Sequence, residues 1–313
     1  MKIVLLESLG ISEELLEQYV APLRKEGHEF ACYERDLDVE KQKARIKDAD
    51  ALILANMPLK EEVVEAGRNL KFIDVAFTGV DHIPVDAAKR LGIAVSNASG
   101  YSNDSVAELV LGMTLSLLRK IPAVDQKART GGVVGSDVGN ELKGKTVGII
   151  GTGAIGSRVG ELFSCFGCRV LGYDVKPREL PFITNVPLEE LLYNSDIVTL
   201  HCPLIDSTRK LMNETTISMM KDGAILINAS RGPVVDSEAL AQALNSGKLA
   251  AAGVDVYEME PPIPDSHPLL LAKNTILTPH VAFLSAESME KRAEIVFRNL
   301  REWMQGHQIN TIV

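Results

Sequence analysis

Five side chains with acid–base or anion-binding chemistry follow short apolar stretches in the second half of the sequence. They are Arg231, Asp255, Glu258, Glu260 and His280. An arginine can hold a carboxylate through two hydrogen bonds, and a histidine exchanges a proton near neutral pH. A carboxylate beside the histidine would orient its ring and favour its protonated form. Together these residue types suit a reaction on an anionic carbonyl compound.

A glycine turn precedes these residues in the chain. The segment VGIIGTGAIG places Gly151, Gly153 and Gly156 at G-x-G-x-x-G spacing. The first glycine of such a motif permits a tight turn, the second lets the backbone approach a pyrophosphate, and the third lets a helix pack closely on a strand. The phosphates would then meet the N-terminus of that helix, where free N–H groups favour anions. Alone, the motif also fits a tight structural turn, so its context decides.

The context of this turn favours a dinucleotide. An apolar stretch precedes it, a helical segment follows at residues 154–166, and the next apolar stretch ends at Asp174. An acidic residue about 20 positions after the glycines can bind the adenosine ribose hydroxyls, and it repels a 2′-phosphate. We therefore predict NAD as the cofactor, with Lys176 close enough to keep NADP open as an alternative.

Six apolar stretches after residue 145 predict the strands that position these groups. They cover residues 146–150, 169–173, 197–201, 224–228, 251–255 and 275–277. Helical segments separate them, which predicts a parallel sheet. Because ligands bind beyond the carboxyl ends of such strands, the arginine, the acidic residues and the histidine should converge on one edge.

The first hundred residues predict a second, smaller α/β unit. Its strands are expected at residues 2–7, 28–33, 50–55, 71–76 and 93–96. Polar helical stretches lie between them, and Ser12 is expected to cap the first helix. The fold class predicted for the whole chain is therefore α/β, with two doubly wound domains.

Separate sequence signals predict the helices outside these two α/β units. Ser105 and Glu108 have capping-box spacing, and apolar residues continue to Leu118, which predicts a long helix that Pro122 bends or ends. The glycine-rich residues after it, 131–144, are interpreted as a loop. Residues 285–305 predict an amphipathic last helix.

The composition excludes several classes of function. The chain has 313 residues, a formal charge of −9 and no run of lysine or arginine, which argues against a nucleic-acid surface. No apolar stretch approaches the roughly 20 residues of a membrane helix, and no secretory signal is visible. Four cysteines are few for this length, which predicts a reduced, cytoplasmic protein. Cys165 and Cys168 have no second pair to complete a zinc site, so we expect no metal and interpret both as buried without chemistry.

Five ordered motifs resemble those of a known family. The motifs GTGAIG, LHCPL, NASRG, GVDVYEMEPP and TPHVA look like the D-isomer-specific 2-hydroxyacid dehydrogenases, which include glycerate, lactate and phosphoglycerate dehydrogenases. The resemblance spans nearly the whole chain. It implies a flavodoxin-like substrate domain, residues 1–101 plus 285–313, and a Rossmann NAD-binding domain, residues 102–284. It also implies a cleft between the domains, closure on binding and a homodimer.

The resemblance assigns roles to the catalytic candidates. Arg231 would bind the substrate carboxylate and carbonyl oxygen, His280 would be the acid/base, and Glu260 would pair with His280. The other implied substrate contacts are Phe77, Thr78 and Gly79, in a loop at residues 76–79 that would offer backbone N–H groups to the substrate carboxylate. One departure is His82, since many members have asparagine after the aspartate of this loop.

The resemblance also implies a set of cofactor contacts. They are Thr78, Gly151, Gly153, Ala154, Ile155, Gly156, Asp174, Cys202, Ala229, Ser230, Arg231, Asp255 and His280. Within this set, Asp255 and the region of Ala229 would hold the nicotinamide carboxamide, and Ala154 and Ile155 would lie at the pyrophosphate.

Several of these residues also have plain structural interpretations. Arg231 could be a surface residue and His280 a structural one, and of Glu258 and Glu260 only one need be catalytic. The position of His201 suggests cofactor packing rather than proton transfer. The remaining histidines, His28, His267 and His307, are interpreted as ordinary turn or surface residues.

Two functions of different class, and a third reaction on the same fold, fit the sequence. The first is an NAD-dependent oxidoreductase acting on a small D-2-hydroxy or 2-oxo acid; without a basic cluster for a phosphate, glyoxylate, hydroxypyruvate or pyruvate is favoured over phosphoglycerate. The second is an NAD(H)-sensing binding protein like the corepressors of this family. The third, formate oxidation, is disfavoured because relatives with that activity carry glutamine where this chain has Glu260.

Overall fold

The chain divides into two compact α/β units. The computed structural model describes residues 1–133, 135, 138–259 and 262–313. The first unit comprises Met1–Ser102 and Leu284–Val313, and the second comprises Asn103–Phe283.

The first unit contains a five-stranded parallel sheet in the order β2-β1-β3-β4-β5. The strands are β1 (Lys2–Leu5), β2 (Glu29–Cys32), β3 (Ala51–Leu54), β4 (Phe72–Val75) and β5 (Ala94–Asn97). Its helices are α1 (Glu13–Lys25), α2 (Val39–Ile46), α3 (Glu61–Ala66), α4 (Val85–Arg90) and, from the end of the chain, α11 (Ala286–Met304). The central strands β3 and β4 are buried along their whole length, as strands covered on both faces must be.

Local signals explain where two of these helices begin. The Ser12 side chain accepts a hydrogen bond from the backbone N–H of Leu15, so it caps α1 as predicted. Ser285 and Ser288 form a capping box at the start of α11. The helix α11 packs on β4 and β5 of the first sheet. It also contacts α1, where its Phe297 stacks on Tyr19 with ring centroids 4.6 Å apart.

The second unit contains a seven-stranded parallel sheet in the order β12-β11-β10-β9-β6-β7-β8. The strands are β6 (Thr146–Ile150), β7 (Arg169–Tyr173), β8 (Thr184–Asn185), β9 (Ile197–Leu200), β10 (Ala224–Asn228), β11 (Leu249–Val254) and β12 (Thr275–Leu277). The helices are α5 (Asn103–Leu118), α6 (Ile121–Arg129), α7 (Ala154–Cys165), α8 (Leu188–Asn194), α9 (Glu214–Met219) and α10 (Ser237–Ser246). Strand order reverses at β6, the place where such sheets bind ligands, and the prediction of two doubly wound domains is confirmed.

Three sequence expectations differ from the structure. The edge strand β8 was not predicted, because its two residues contain no apolar run. Ser105 lies inside α5, which begins at Asn103, so it is not the N-cap. Pro122 lies in the first turn of α6, a position that needs no backbone donor, and it therefore starts a helix where we expected it to bend or end one.

None of the helices in the described ranges combines the length and the apolar character that crossing a bilayer requires.

Candidate active site

The glycine turn joins β6 to α7 under tight steric constraint. Gly151 has φ +93°, and a Cβ there would lie 2.6 Å from the backbone nitrogen of Cys202. A Cβ at Gly156 would overlap the carbonyl oxygen of Gly151. A Cβ at Gly153 would meet only open space, and no side chain caps α7 at this residue. The N-terminus of α7 therefore presents backbone donors to open space, which fits the pyrophosphate of a dinucleotide.

Asp174 lies directly after β7 and beside the glycine turn. Its Oδ2 accepts a hydrogen bond from the backbone N–H of Thr152 at 2.8 Å, and its Oδ1 accepts one from the backbone N–H of Lys176 at 2.9 Å. The Thr152 hydroxyl also donates to Oδ2, at 3.5 Å, so about one of the four acceptor sites of the carboxylate remains for a hydroxyl donor. The carboxylate thus braces the turn and keeps the capacity to bind a ribose.

Arg231 follows the fully buried strand β10 in a turn held by Asn228. The Asn228 carboxamide oxygen accepts hydrogen bonds from the backbone N–H of Ser230 at 3.1 Å and from its hydroxyl at 2.9 Å. The Asn228 amide donates to the carbonyl of Arg231 at 3.0 Å. The Arg231 guanidinium itself donates to the Ser230 carbonyl at 2.8 Å. Hydrogen bonds within the NASRG motif therefore hold the turn and fix the backbone of Arg231.

His280 is held by Asp255, which follows the neighbouring strand β11. The Asp255 carboxylate is fully buried and accepts hydrogen bonds from the Thr278 hydroxyl at 2.5 Å and from the backbone N–H groups of Val281 and Ala282 at 2.9 Å each. The backbone N–H of His280 donates to the Asp255 carbonyl at 2.8 Å. His280 has φ +57°, a left-handed conformation that costs energy for a residue with a side chain and that these bonds hold in place.

The same contacts give Asp255 a role beyond the predicted nicotinamide contact. The resemblance placed it at the nicotinamide carboxamide, but three of its roughly four acceptor sites are occupied by the loop that carries His280. The imidazole of His280 in turn packs edge to face on Phe283, with ring centroids 5.5 Å apart. Asp255 thus determines the conformation of His280, a role that sequence analysis missed because three of the donors lie more than twenty residues downstream.

Glu258 and His267 form a side-chain hydrogen bond that the sequence did not suggest. Their Oε2 and Nε2 atoms are 3.0 Å apart, and His267 is 5% exposed. His267 ends a turn, in which its backbone N–H donates to the Pro264 carbonyl at 2.9 Å, as one of the two interpretations held, but the interpretation as a surface residue is wrong because the side chain is buried. Of the two glutamates in this loop, Glu258 contacts His267, while Glu260 lies outside the described residues.

His201 and Cys202 follow β9 next to the glycine turn. Burial lowers the pKa of His201 to about 3, and its Nε2 is 2.9 Å from the Thr199 hydroxyl. Burial also raises the pKa of the Cys202 thiol to about 11. Both groups are neutral at physiological pH, so neither is equipped for proton transfer, in keeping with a packing role.

The loop at residues 76–79 follows β4 in the first unit. The backbone N–H of Ala76 donates to Leu54 and that of Phe77 to Val75, both at 2.7 Å, so only Thr78 and Gly79 remain as backbone donors for a ligand. The Thr78 hydroxyl is buried and has no hydrogen-bond partner among the described residues. His82 packs edge to face on Phe77, with centroids 6.2 Å apart, and this places the departure from the family pattern against the loop.

The cysteine pair forms no site. Cys165 and Cys168 are both free thiols; the expectation that both are buried is wrong for Cys165, which is exposed, and holds only in part for Cys168, which is partly buried. It lies at the end of α7, where the helix no longer covers it. Within the described ranges, no group of three or more His, Cys, Asp or Glu side chains is arranged to hold a metal ion.

Comparisons with known proteins agree with this geometry. Residues 111–282 match the family model "D-isomer specific 2-hydroxyacid dehydrogenase, NAD binding domain". The chain is 37% identical over 287 residues to a hydroxypyruvate reductase of Blautia hydrogenotrophica, covering 88% of each chain. It is 39% identical over 279 residues to a glyoxylate reductase of Thermofilum pendens, covering 86% of this chain and 82% of that one.

A solved structure supports the same assignment. The D-lactate dehydrogenase of Aquifex aeolicus, complexed with NAD and lactic acid, superposes with a TM-score of 0.85 at 31% identity, covering 98% of this chain and 96% of that one. These relatives are reductases and dehydrogenases, which does not favour the alternative of a nucleotide-sensing binding protein. The chain belongs to the D-isomer-specific 2-hydroxyacid dehydrogenase family, and its second unit is the NAD-binding domain of that family.

Proposed function

We propose that this protein reduces a small 2-oxo acid, of the glyoxylate, hydroxypyruvate or pyruvate type, to the D-2-hydroxy acid with NADH. The supporting observation is that Arg231, Asp255 and His280 follow the carboxyl ends of β10, β11 and β12, which are neighbouring strands of one parallel sheet. The names of the relatives above favour the same substrate class.

The residues of the chain divide the work as follows. Arg231, its backbone fixed by Asn228, binds the substrate carboxylate and stabilises the negative charge that develops on the carbonyl oxygen. His280 donates its proton to that oxygen as the alkoxide forms. In this proposal Glu260 pairs with His280. The bound nicotinamide supplies the hydride to the carbonyl carbon.

The remaining contacts position the two ligands. Asp174 binds the adenosine ribose, and the donors at the N-terminus of α7 bind the pyrophosphate. Residues 1–102 and 284–313 act as the substrate domain, in which the N–H groups of Thr78 and Gly79 hold the substrate carboxylate. Reduction needs His280 as a proton donor, and oxidation needs it as a proton acceptor.

The experiment that tests the proposal is NADH consumption across a panel of 2-oxo acids, with NADPH measured beside it. We expect turnover of at least one two- or three-carbon acid, with NADH preferred. Absence of turnover with every acid at saturating NADH would refute the enzymatic assignment and leave only cofactor binding.

A homodimer and a cytoplasmic location belong to the same proposal. Helix α6 has no buried residue, and Ile121 and Val124 on it are exposed, as are Val133 and Val138 in the segment that follows. Such apolar exposure is typical of a surface that associates. Light scattering on the purified protein should give twice the chain mass, and Val124→Glu should shift it toward the monomer.

A further inference from the structure

We propose that Glu258 and His267 form a positioning pair that holds the backbone at Tyr257 and Glu258 against the turn of Arg231. This inference rests on the proposed function, because it concerns how the substrate-binding arginine is held.

The pair is built from both nitrogens of one buried imidazole. The Nδ1 of His267 accepts a hydrogen bond from the backbone N–H of Leu269 at 3.4 Å and so caps the short 3₁₀ helix Pro268–Leu270. Its Nε2 therefore carries the hydrogen and donates to the Glu258 carboxylate at 3.0 Å. The ring also packs edge to face on Tyr257, with centroids 5.5 Å apart.

Glu258 is tied on its other side to α10. Its carboxylate is hydrogen-bonded to the side chain of Ser237, the first residue of that helix. Burial acts to raise the pKa of Glu258, but the hydrogen bonds from Ser237 and His267 outweigh it, and the pKa lies below its ordinary value. The Glu258 side chain, which is 35% exposed, thus joins the 3₁₀ helix to α10 through two hydrogen bonds that restrain its backbone.

That backbone lies directly on the residue after Arg231. A Cβ at Gly232 would overlap the carbonyl group of Tyr257 and would approach the nitrogen of Glu258 to 2.5 Å. Arg231 is therefore enclosed between Asn228, which bonds its carbonyl, and the Tyr257–Glu258 backbone, which covers Gly232. If the hydrogen bond between Glu258 and His267 is lost, the Tyr257–Glu258 backbone should pack less firmly on Gly232. The backbone position from which the Arg231 guanidinium extends is then no longer fixed.

The matched variants are Glu258→Ala, Glu258→Gln, His267→Asn and the double variant Glu258→Ala with His267→Asn. Asparagine is a good N-cap and can still accept from Leu269, but it is too short to reach Glu258, so it removes the pair and keeps the cap. Glutamine keeps an acceptor for His267. Lys248→Gln, which breaks the Lys248–Asp222 ion pair at the opposite edge of the sheet, is the control.

We expect Glu258→Ala and His267→Asn each to raise the KM for the 2-oxo acid about ten-fold or more, with kcat changed less than about three-fold and the Kd of NADH unchanged. Glu258→Gln should recover most of the loss, the double variant should be no worse than the worse single variant, and Lys248→Gln should leave KM unchanged. A KM within two-fold of wild type in both single variants, or fully additive effects in the double variant, would overturn the pair.

Hydrogen exchange provides a readout that does not need turnover. Amides at residues 228–236 should exchange faster in Glu258→Ala than in wild type or in Lys248→Gln. If the wild type turns over no 2-oxo acid, the proposed function fails while this measurement still decides the pair. Unchanged exchange at 228–236 would refute the pair whatever the activity.

Discussion

Asp255→Asn should separate the stability of the NAD-binding unit from the placement of its histidine. The wild-type carboxylate is fully buried and accepts three hydrogen bonds, from Thr278, Val281 and Ala282. Asparagine has nearly the same volume but offers one oxygen and one NH₂ group. If the oxygen keeps Thr278 and Val281, the NH₂ group faces the N–H of Ala282, and two donors oppose each other.

The magnitude follows from these bonds. A buried N–H group without an acceptor costs about 1–3 kcal/mol, and the two remaining bonds lose their charge assistance, so the loss is about 2–4 kcal/mol. For a unit of this size that corresponds to a fall in Tm of about 5–10 °C. The left-handed conformation of His280, at φ +57°, costs about 1–2 kcal/mol, which the weakened loop no longer offsets. The imidazole should then move by about an ångström, enough to lower kcat about 100-fold.

Steady-state kinetics, NADH titration by fluorescence and thermal unfolding test this prediction together. The control is Asp196→Asn, at the amino edge of the same sheet, where Asp196 accepts from Thr146 at 2.8 Å and from Lys221 at 2.9 Å. It should lower Tm with kcat nearly unchanged. In a His280→Ala background, Asp255→Asn should lower kcat no further. A wild-type kcat in Asp255→Asn, or an additive loss in that background, would refute positioning by Asp255.

Three further predictions concern the other groups of the site. Arg231→Ala should lower kcat/KM at least about 1,000-fold while NADH still binds, because the arginine is proposed to contact substrate; a near-normal kcat/KM would contradict that role. Asp174→Ala should narrow the preference for NADH over NADPH, and an unchanged ratio of kcat/KM values would mean that Asp174 does not read the ribose. The pKa of His201 is lowered from 6.5 to about 3 in the folded protein, so between these pH values the unfolded state binds more protons. The free energy of unfolding therefore falls as the pH falls through that range. The fall is at most about 1.4 kcal/mol per pH unit. Urea unfolding of His201→Gln should show a shallower acid slope than wild type, and equal slopes would exclude His201 as the source.

The sequence alone was sufficient for the fold class and the cofactor, and it supplied candidate catalytic residues that stay predictions. Apolar stretches of three to six residues between helical patterns predict parallel strands, and four of the six strands predicted after residue 145 have the observed bounds. The glycine spacing and Asp174 indicated a dinucleotide because their effect is local, within one strand, one turn and one helix. Arg231 and His280 could be singled out because each lies three residues after the end of a predicted strand.

Only the tertiary structure decided which groups hold those residues in place. Asp255 contacts donors 23 to 27 residues further along the chain, and His267 contacts a glutamate on the far side of a loop. No periodicity records such pairs, because they depend on how neighbouring strands and loops pack at one edge of the sheet. The same holds for β8, which is a strand only because Leu171 and Gly172 of β7 lie beside it. Burial, likewise a property of the packed sheet, makes His201 and Cys202 neutral.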